Sequence, residues 1–319
     1  MQELVNLSNY FLDNNLINNS SENLARLLED NNLNGLEMLF CNKWDNNLHK
    51  KNLIKGVHLK FWPDWLDFWL DNKIALQREY KSLDLVYEIY GGRDKKDWIK
   101  KYQDNIYNAL ETNPEYLVFH VSQARPSEIF NWNFNYTSEV VIENTIKVLN
   151  ELIEIIPNNT KLLLENLWWP GLTLENKNLV AKLFDEVECN NLGIMLDTGH
   201  LMNTNSDLKT EEDGINYILQ IIDNLGEYKK YIYGIHLHHS LSGEYVKENC
   251  HKEFDEPLSM DIIMKHILKI DEHLPFSNVH VQLLINSIKP EYLVHEFMQS
   301  SRNDWINKIR IQRKALGLL

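Results

Sequence analysis

Residues 193–201, with the sequence GIMLDTGHL, give the clearest indication of the fold. Its apolar residues predict a strand of a parallel sheet, because such strands are covered on both faces and form continuous apolar runs. Asp197 ends the strand, and Gly199 permits a bend that turns Asp197 and His200 toward one point. A carboxylate and an imidazole together suit zinc, manganese or iron. The alternative for this stretch alone is an aspartate that caps the next helix beside an unrelated histidine.

Seven further segments repeat the pattern of a short apolar strand. The eight predicted strands cover residues 4–8, 35–41, 54–59, 116–121, 161–166, 193–197, 231–237 and 291–297. Amphipathic segments that predict helices separate most of them, at residues 21–31, 93–112, 137–156, 174–187, 210–225, 279–288 and 303–316. Strands that alternate with helices form parallel sheets, and eight of them predict a closed (β/α)8 TIM barrel. An open doubly wound sheet is the alternative, which the strand count disfavours.

A tryptophan-rich insertion, residues 62–93, follows the third predicted strand. We expect the tryptophans of the insertion on one helix. These tryptophans and a Trp-Trp pair after the fifth strand either line the rim of a pocket or pack the insertion against the barrel. These residues are Trp62, Trp65, Trp69, Trp168 and Trp169. Residues 240–275 predict a less regular region with short helices. The sequence contains no evident linker, so residues 1–319 predict a single domain.

Composition restricts the class of protein. The chain has 319 residues, of which 44% are hydrophobic and 24% charged, as is usual for a soluble globular protein. Its net charge of −14 disfavours binding to nucleic acid. Cys41, Cys189 and Cys250 are odd in number and widely spaced, which predicts free thiols in a reducing compartment. Without a signal peptide or an apolar run of about 18 residues, we expect a cytoplasmic protein with no membrane partner.

Potential metal ligands gather at the predicted strand ends and in the following loops. In a TIM barrel these positions share one face, where reactive groups collect. Acids crowded there repel one another unless cations lie between them. The sequence therefore predicts a metal site, with more than one ion expected, whose ligands suit zinc, manganese or iron. Its nine candidate ligands are His58, His120, Glu165, Asp197, His200, His236, Asp271, His273 and Glu296. We expect Glu165, Glu296 and His200 to be catalytic.

Other charged residues near the predicted site are assigned lesser roles. Arg125, close after His120, is expected either to meet an anionic group or to form a surface ion pair. His238 and His239 follow the seventh strand, and we predict that neither is a ligand. The remaining histidines are interpreted as structural or surface residues, namely His49, His251, His266, His280 and His295.

Several of these motifs resemble one known family. The sequence resembles the endonuclease IV branch (apurinic/apyrimidinic endonuclease family 2) of the xylose isomerase-like TIM barrels. The similarity lies in YLVFH (116–120), LEN (164–166), LDTGH (196–200), DLKT (207–210), GIHL (234–237), DEH (271–273) and Glu296. It implies three ions, typically zinc: one held by His58, His120 and Glu165, a second by Glu165, Asp197, His236 and Glu296, and a third by His200, Asp271 and His273. It also implies phosphodiester hydrolysis, in which the ions lower the pKa of water and stabilise the leaving oxygen.

The parts that contact DNA in that family differ here. The first loop, residues 8–12, is SNYFL rather than glycine-rich, and the loop at residues 41–45 carries one cation, Lys43. The seventh strand continues into His238-His239-Ser240, where the family has Asn-Asp. Leu274-Pro275-Phe276 replaces expected glycines. The metal-binding part of the pattern is thus kept, while the DNA-binding part is not.

Four functions remain open from the sequence. The first is hydrolysis of a phosphoester, either in abasic DNA or in a smaller substrate. The second is sugar isomerisation or epimerisation with a single manganese-type ion, in which Glu165 and Glu296 move the proton; it leaves His58, His120 and the Asp271/His273 pair unexplained. The third is a multinuclear iron oxidase, and the fourth a non-catalytic metal-binding protein. We expect a small polar or phosphorylated substrate, with DNA disfavoured by the charge; the sequence does not indicate the oligomeric state.

Overall fold

The eight predicted strands are present, and they run parallel in a closed barrel. The structure is a computed structural model that describes residues 1–252 and 259–319. Each strand pairs with the next along the chain, and the last pairs with the first. In chain order the strands, β1 to β8, are Gln2–Ser8, Gly35–Leu39, Ile54–His58, Tyr116–His120, Lys161–Glu165, Leu192–Asp197, Ile232–Leu237 and Tyr292–His295. The predicted (β/α)8 TIM barrel is therefore confirmed.

Helices surround the barrel and cover its outer face. In the described residues the α-helices, α1 to α15, are Phe11–Leu16, Ser21–Asp30, Trp65–Trp69, Lys73–Tyr80, Leu83–Tyr90, Lys95–Leu110, Pro126–Asn131, Ser138–Leu152, Lys177–Glu186, Thr198–Met202, Glu211–Asn224, Gly243–Asn249, Met260–Ile270, Val281–Ile288 and Arg302–Ala315. Short helices α12 and α13 occupy the region predicted to be irregular; its residues 253–258 lie outside the described residues. None of the described helices is long and apolar enough to cross a bilayer.

Side chains fill the inside of the barrel, so the potential ligands lie at one end of it. Strand residues pack there in a layer made of Leu4, Tyr116, Val118, Leu163, Met195, Tyr292 and Val294. A larger apolar cluster fills the space between the strands and the outer helices. The barrel is thus a packed core, which holds the strand ends in fixed positions and with them the polar side chains that they carry.

The tryptophan-rich insertion packs against the barrel. Trp65 and Trp69 lie on α3, whereas Trp62 precedes this helix, so the expectation of one helix for all three was wrong. All three are buried, and each has its ring within 6.2 Å of the Trp98 ring on α6. Between the two interpretations of these side chains, the structure favours packing over an exposed rim.

Arg125 meets an anionic group, the Asp67 carboxylate, in an ion pair that is buried and does not lie at the surface. Its Nε lies 2.6 Å from Asp67 Oδ2 and its Nη2 lies 2.9 Å from Oδ1, a bidentate contact. Tyr136 donates a further hydrogen bond to Asp67 Oδ1, and the guanidinium lies over the Tyr136 ring. Because Asp67 is on α3 and Arg125 follows β4, this pair ties the insertion to the barrel. The three cysteines are free thiols, as predicted.

Candidate metal centre

The strand ends place the candidate ligands around one point. His58, His120, Glu165 and Asp197 are the last residues of β3, β4, β5 and β6. The register sets His120 beside Glu165, and Asp197 beside His236 of β7. Because the strands are parallel, all of these side chains emerge at the same end of the barrel.

Glu165 is shared by two groups of potential ligands. Its Oε2 lies 2.9 Å from His58 Nε2 and 3.2 Å from His120 Nε2. Its Oε1 lies 3.0 Å from Nδ1 of His236. The carboxylate is fully buried, and each of its oxygens faces a different group of residues. Glu165 therefore lies between the His58/His120 pair and His236.

The second group surrounds His236. Its Nδ1 lies 3.0 Å from Glu296 Oε2 and 3.8 Å from Asp197 Oδ2. Ligand atoms of Glu165, Asp197, His236 and Glu296 all lie within 4.8 Å of one another, so these four could hold one ion. Glu296 directly follows β8, and its side chain is 15% exposed, whereas the other three are fully buried. Glu296 is therefore the member of this group that faces the mouth of the barrel.

A buried acid that the sequence did not reveal supports His236 from below. Glu37, in the middle of β2, lies 2.9 Å from His236 Nε2 and accepts a hydrogen bond from the Tyr116 hydroxyl. A histidine that donates one N–H to a carboxylate presents its other nitrogen in a fixed direction. Glu37, His58 and His236 also lie close enough to form a ligand group of their own.

Asp197 caps a helix and also lies within the cluster of potential ligands. Its Oδ1 accepts a hydrogen bond from the His200 backbone N–H at 2.6 Å and so caps α10. Its Oδ2 lies 2.9 Å from Nε2 of His238 and 3.8 Å from His236 Nδ1. The His200 ring is held separately, with Nδ1 2.9 Å from the Asn166 carbonyl oxygen. Capping and a place in the ligand cluster are therefore compatible.

A third set of potential ligands surrounds Asp271. His200 Nε2 lies 3.2 Å from Asp271 Oδ2, and His273 Nδ1 lies 3.3 Å from the same oxygen. The residue whose ligand atoms group with both Asp271 and His273 is His238, which also groups with Asp197 and His200. The sequence-based assignment of His238 as a residue outside the ligand cluster therefore disagrees with its position. His239 lies apart from these groups, with Nε2 3.8 Å from Glu211.

The protonation pattern of these histidines fits a bound cation. His58 and His200 each present Nδ1 to a backbone carbonyl oxygen, which accepts a hydrogen bond from an N–H there, so in the neutral ring Nε2 carries a lone pair. In each ring that Nε2 faces a carboxylate, Glu165 or Asp271, so two acceptors meet unless a cation or a proton lies between them. Atoms bound tetrahedrally to zinc are about 3.4 Å apart, close to the spacings observed here. The donor set of imidazoles and carboxylates suits zinc, manganese or iron.

The pKa shifts of the clustered side chains also indicate a site that attracts a cation. Burial by itself would lower the pKa of His58 and His200, but nearby carboxylates outweigh it and raise them to about 9 and about 10. His120 behaves differently: burial lowers its pKa to about 3, with Glu165 as a partial offset. Burial alone would raise the pKa of Glu165, yet the surrounding imidazoles hold it well below the usual value. The cluster therefore attracts positive charge strongly.

Aromatic side chains border the mouth of the site. The Phe61 ring lies 4.5 Å from the His120 ring, and the Trp168 ring lies 5.1 Å from that of His200. His58 and His120 remain 13% and 12% exposed. Solvent therefore reaches the His58/His120 side of the cluster and Glu296, while Glu165, Asp197 and His236 are sealed beneath.

Comparison with known proteins identifies the family. The model of the xylose isomerase-like TIM barrel family matches residues 55–279, and the chain belongs to this family. No curated protein matches the sequence significantly.

Solved structures with the same fold include both endonucleases and epimerases. Endonuclease IV from Thermus thermophilus superimposes with a TM-score of 0.53 at 14% identity, covering 100% of this chain and 100% of that one. A D-tagatose 3-epimerase-like protein gives 0.54 at 16% identity, covering 100% and 98%. D-psicose 3-epimerase gives 0.54 at 11% identity, covering 99% and 100%. At such low identities the likeness establishes the shared fold alone, within a family whose members include several classes of enzyme.

Proposed function

We propose that this protein is a metal-dependent phosphoester hydrolase with a site for two or three divalent ions. The observation that carries the proposal is the sharing of ligands between adjoining groups. Glu165 belongs both to the group with His58 and His120 and to the group with Asp197, His236 and Glu296. A single ion needs only one such group. The histidines of the other group would then be buried beside acids with no ion to bind, which is an unfavourable arrangement.

The chain's own residues divide the work in this proposal. His58, His120 and Glu165 would hold one ion, and Glu165 together with Asp197, His236 and Glu296 a second. Bound ions supply a water molecule of lowered pKa and neutralise charge on phosphate oxygens. Besides this ligand role, Glu296, the partly exposed acid at the mouth, would accept a proton from a reacting group. His200 lies under Trp168, where its Nε2 can orient a polar group beside Asp271.

The substrate we propose is small and polar or phosphorylated. The net charge of −14 repels a DNA backbone, and the exposed residues after β1 are Tyr10, Phe11 and Leu12 rather than cations. We further propose zinc as the first choice of ion, a single domain over residues 1–319 and a cytoplasmic location.

A second candidate function is sugar isomerisation or epimerisation with one ion. The observation that favours it is the four-residue group of Glu165, Asp197, His236 and Glu296, which is complete without the other ligands. Two of its three carboxylates, those of Glu165 and Glu296, come from different strands, as a proton transfer between two faces of a sugar carbon would need.

One set of assays separates the two functions. Protein loaded with Zn²⁺ or Mn²⁺ is tested on bis(p-nitrophenyl) phosphate, on a duplex with one abasic site and on a panel of ketoses. We expect metal-dependent cleavage of the small phosphodiester, weak binding of the duplex at physiological salt, and unchanged ketoses. The variant Glu296→Gln should lower turnover by about 100-fold or more, because it removes both a carboxylate ligand of the second ion and the proposed proton acceptor. His280→Ala, an exposed histidine beside Glu212, is the matched control and should keep full activity.

Two results would contradict this function. If the metal-loaded protein cleaves neither bis(p-nitrophenyl) phosphate nor the abasic duplex, phosphoester hydrolysis is rejected. Conversion of a ketose by protein that holds a single ion would establish the second candidate instead. Tight, salt-sensitive binding to the abasic duplex, followed by its cleavage, would overturn the proposed small substrate and keep the hydrolase.

A further inference from the structure

His238 has one buried ring nitrogen that its surroundings do not satisfy. The side chain is fully buried, and its Nε2 lies 2.9 Å from Asp197 Oδ2. Its Nδ1 has no hydrogen-bond partner in residues 1–252 and 259–319. A buried polar atom without a partner costs free energy, and such atoms are uncommon in native proteins. The position of Nδ1 therefore calls for a ligand.

The free nitrogen faces two other potential ligands. Nδ1 of His238 lies 3.9 Å from Asp271 Oδ1, and the His238 ring stacks on the His273 ring with 4.2 Å between centroids. Ligand atoms of the three residues all lie within 4.8 Å of one another. A distance of 3.9 Å is too long for a hydrogen bond, so a charged imidazole would leave its Nδ1–H without an acceptor. The separation suits an ion between the groups.

The hydrogen bond to Asp197 determines which nitrogen is free. A carboxylate accepts hydrogen bonds, so Nε2 of His238 carries the proton and Nδ1 of the neutral ring carries a lone pair. This is the arrangement in which a histidine that ligates a metal is oriented by a carboxylate behind it.

The chain is shaped to hold this ring. A Cβ atom on Gly199 would overlap Cε1 and Nδ1 of His238, so only glycine leaves room for the imidazole there. The Thr198 hydroxyl accepts a hydrogen bond from the His238 backbone N–H and also lies 2.6 Å from its carbonyl oxygen. The turn after β6 thus fixes both the backbone and the ring of His238.

We propose that His238 binds a cation through Nδ1, together with Asp271 and His273. The inference rests on the proposed function, in which the site holds more than one ion. It adds His238, the residue directly after β7, to the ligands of a third ion. Two imidazoles and a carboxylate, with His200 Nε2 3.2 Å from Asp271, form a nitrogen-rich set. Imidazole ligands suit zinc and iron better than magnesium or calcium, so this position selects a transition ion.

The test compares variants that separate ligation from support of Asp197. His238→Gln keeps an N–H donor within reach of Asp197 but has no imidazole at the Nδ1 position, whereas His238→Ala removes both. His239→Ala, the neighbouring buried histidine outside the ligand groups, is the control. Zn²⁺ content and affinity are measured by metal analysis and chelator competition on the full chain, with thermal melting to confirm folding.

We expect both His238 variants to lose one ion, with its affinity lowered by more than about 100-fold, while His239→Ala keeps all ions. This exceeds the roughly 10–100-fold loss typical when a group that merely supports a ligand is removed. If folded His238→Gln retains every ion with unchanged affinity, His238 only supports Asp197 and the inference is wrong. If the unaltered protein binds fewer than two ions, the proposed function itself fails. Should His238→Ala not fold, His238→Gln alone decides.

Discussion

Replacing Glu165 by alanine is expected to remove two ions and reduce turnover by about three orders of magnitude. Glu165 lies within 3.2 Å of His58, His120 and His236, which belong to two ligand groups. Without its carboxylate, neither group keeps the charge that balances a divalent ion. Several kcal/mol of lost transition-state stabilisation corresponds to a rate decrease of about this size. Metal analysis and phosphodiester turnover measure the two effects.

A matched variant separates the loss of ions from general damage to the barrel. Glu3 is also a buried acid, paired with His295 and Arg313, but it lies near the start of β1, away from the strand ends that carry the ligands. Glu3→Gln is expected to lower stability while leaving the ion content unchanged. Full ion content in folded Glu165→Ala protein would mean that the ligand assignment is wrong.

Arg125→Ala is expected to destabilise the fold by about 3–5 kcal/mol, the usual effect of breaking a buried ion pair from one side. The change leaves the Asp67 carboxylate, whose side chain is 2% exposed, without its guanidinium partner. It also removes the bidentate contact that joins α3 to the chain after β4. The free energy of unfolding in urea, measured with saturating Zn²⁺ for both proteins, provides the comparison.

The control for this variant is an arginine of the tryptophan-rich insertion, which Arg125 contacts through Asp67. Arg78 on α4 is exposed, and Arg78→Ala should change the free energy of unfolding by less than about 0.5 kcal/mol. The double variant Arg125→Ala/Asp67→Asn should recover part of the loss, because no unpaired buried charge remains. An Arg125→Ala protein within about 1 kcal/mol of the unaltered one would show that the pair contributes little.

Most of the barrel could be predicted from the sequence because each strand is a short apolar run between amphipathic helices. The observed strands fall within one or two residues of the predicted ends, as for β5 at Lys161–Glu165 against 161–166. The ligand positions followed from the same pattern, since residues at the ends of parallel strands must share one face. For this reason Glu165, Asp197 and His236 could be placed near one another without coordinates.

Two features could not be predicted in the same way, and a third was missed. Glu37 lies in mid-strand, and only the stagger of the closed barrel brings it beneath His236. Asp67 and Arg125 pair across 58 positions of the chain, which no local pattern encodes. His238 could have been found: it is two residues after His236, and alternate residues of an extended chain point to the same side. The family resemblance, which has Asn-Asp after this strand, pointed away from it.

The metal content of the unaltered protein, located by anomalous scattering in crystals grown with Zn²⁺, tests the central claim most directly. The account predicts two or three peaks per chain, one between His58, His120 and Glu165 and another between Glu165, Asp197, His236 and Glu296. A single peak would contradict the multinuclear site and favour the isomerase, and no peak after zinc supplementation would contradict the metal site altogether.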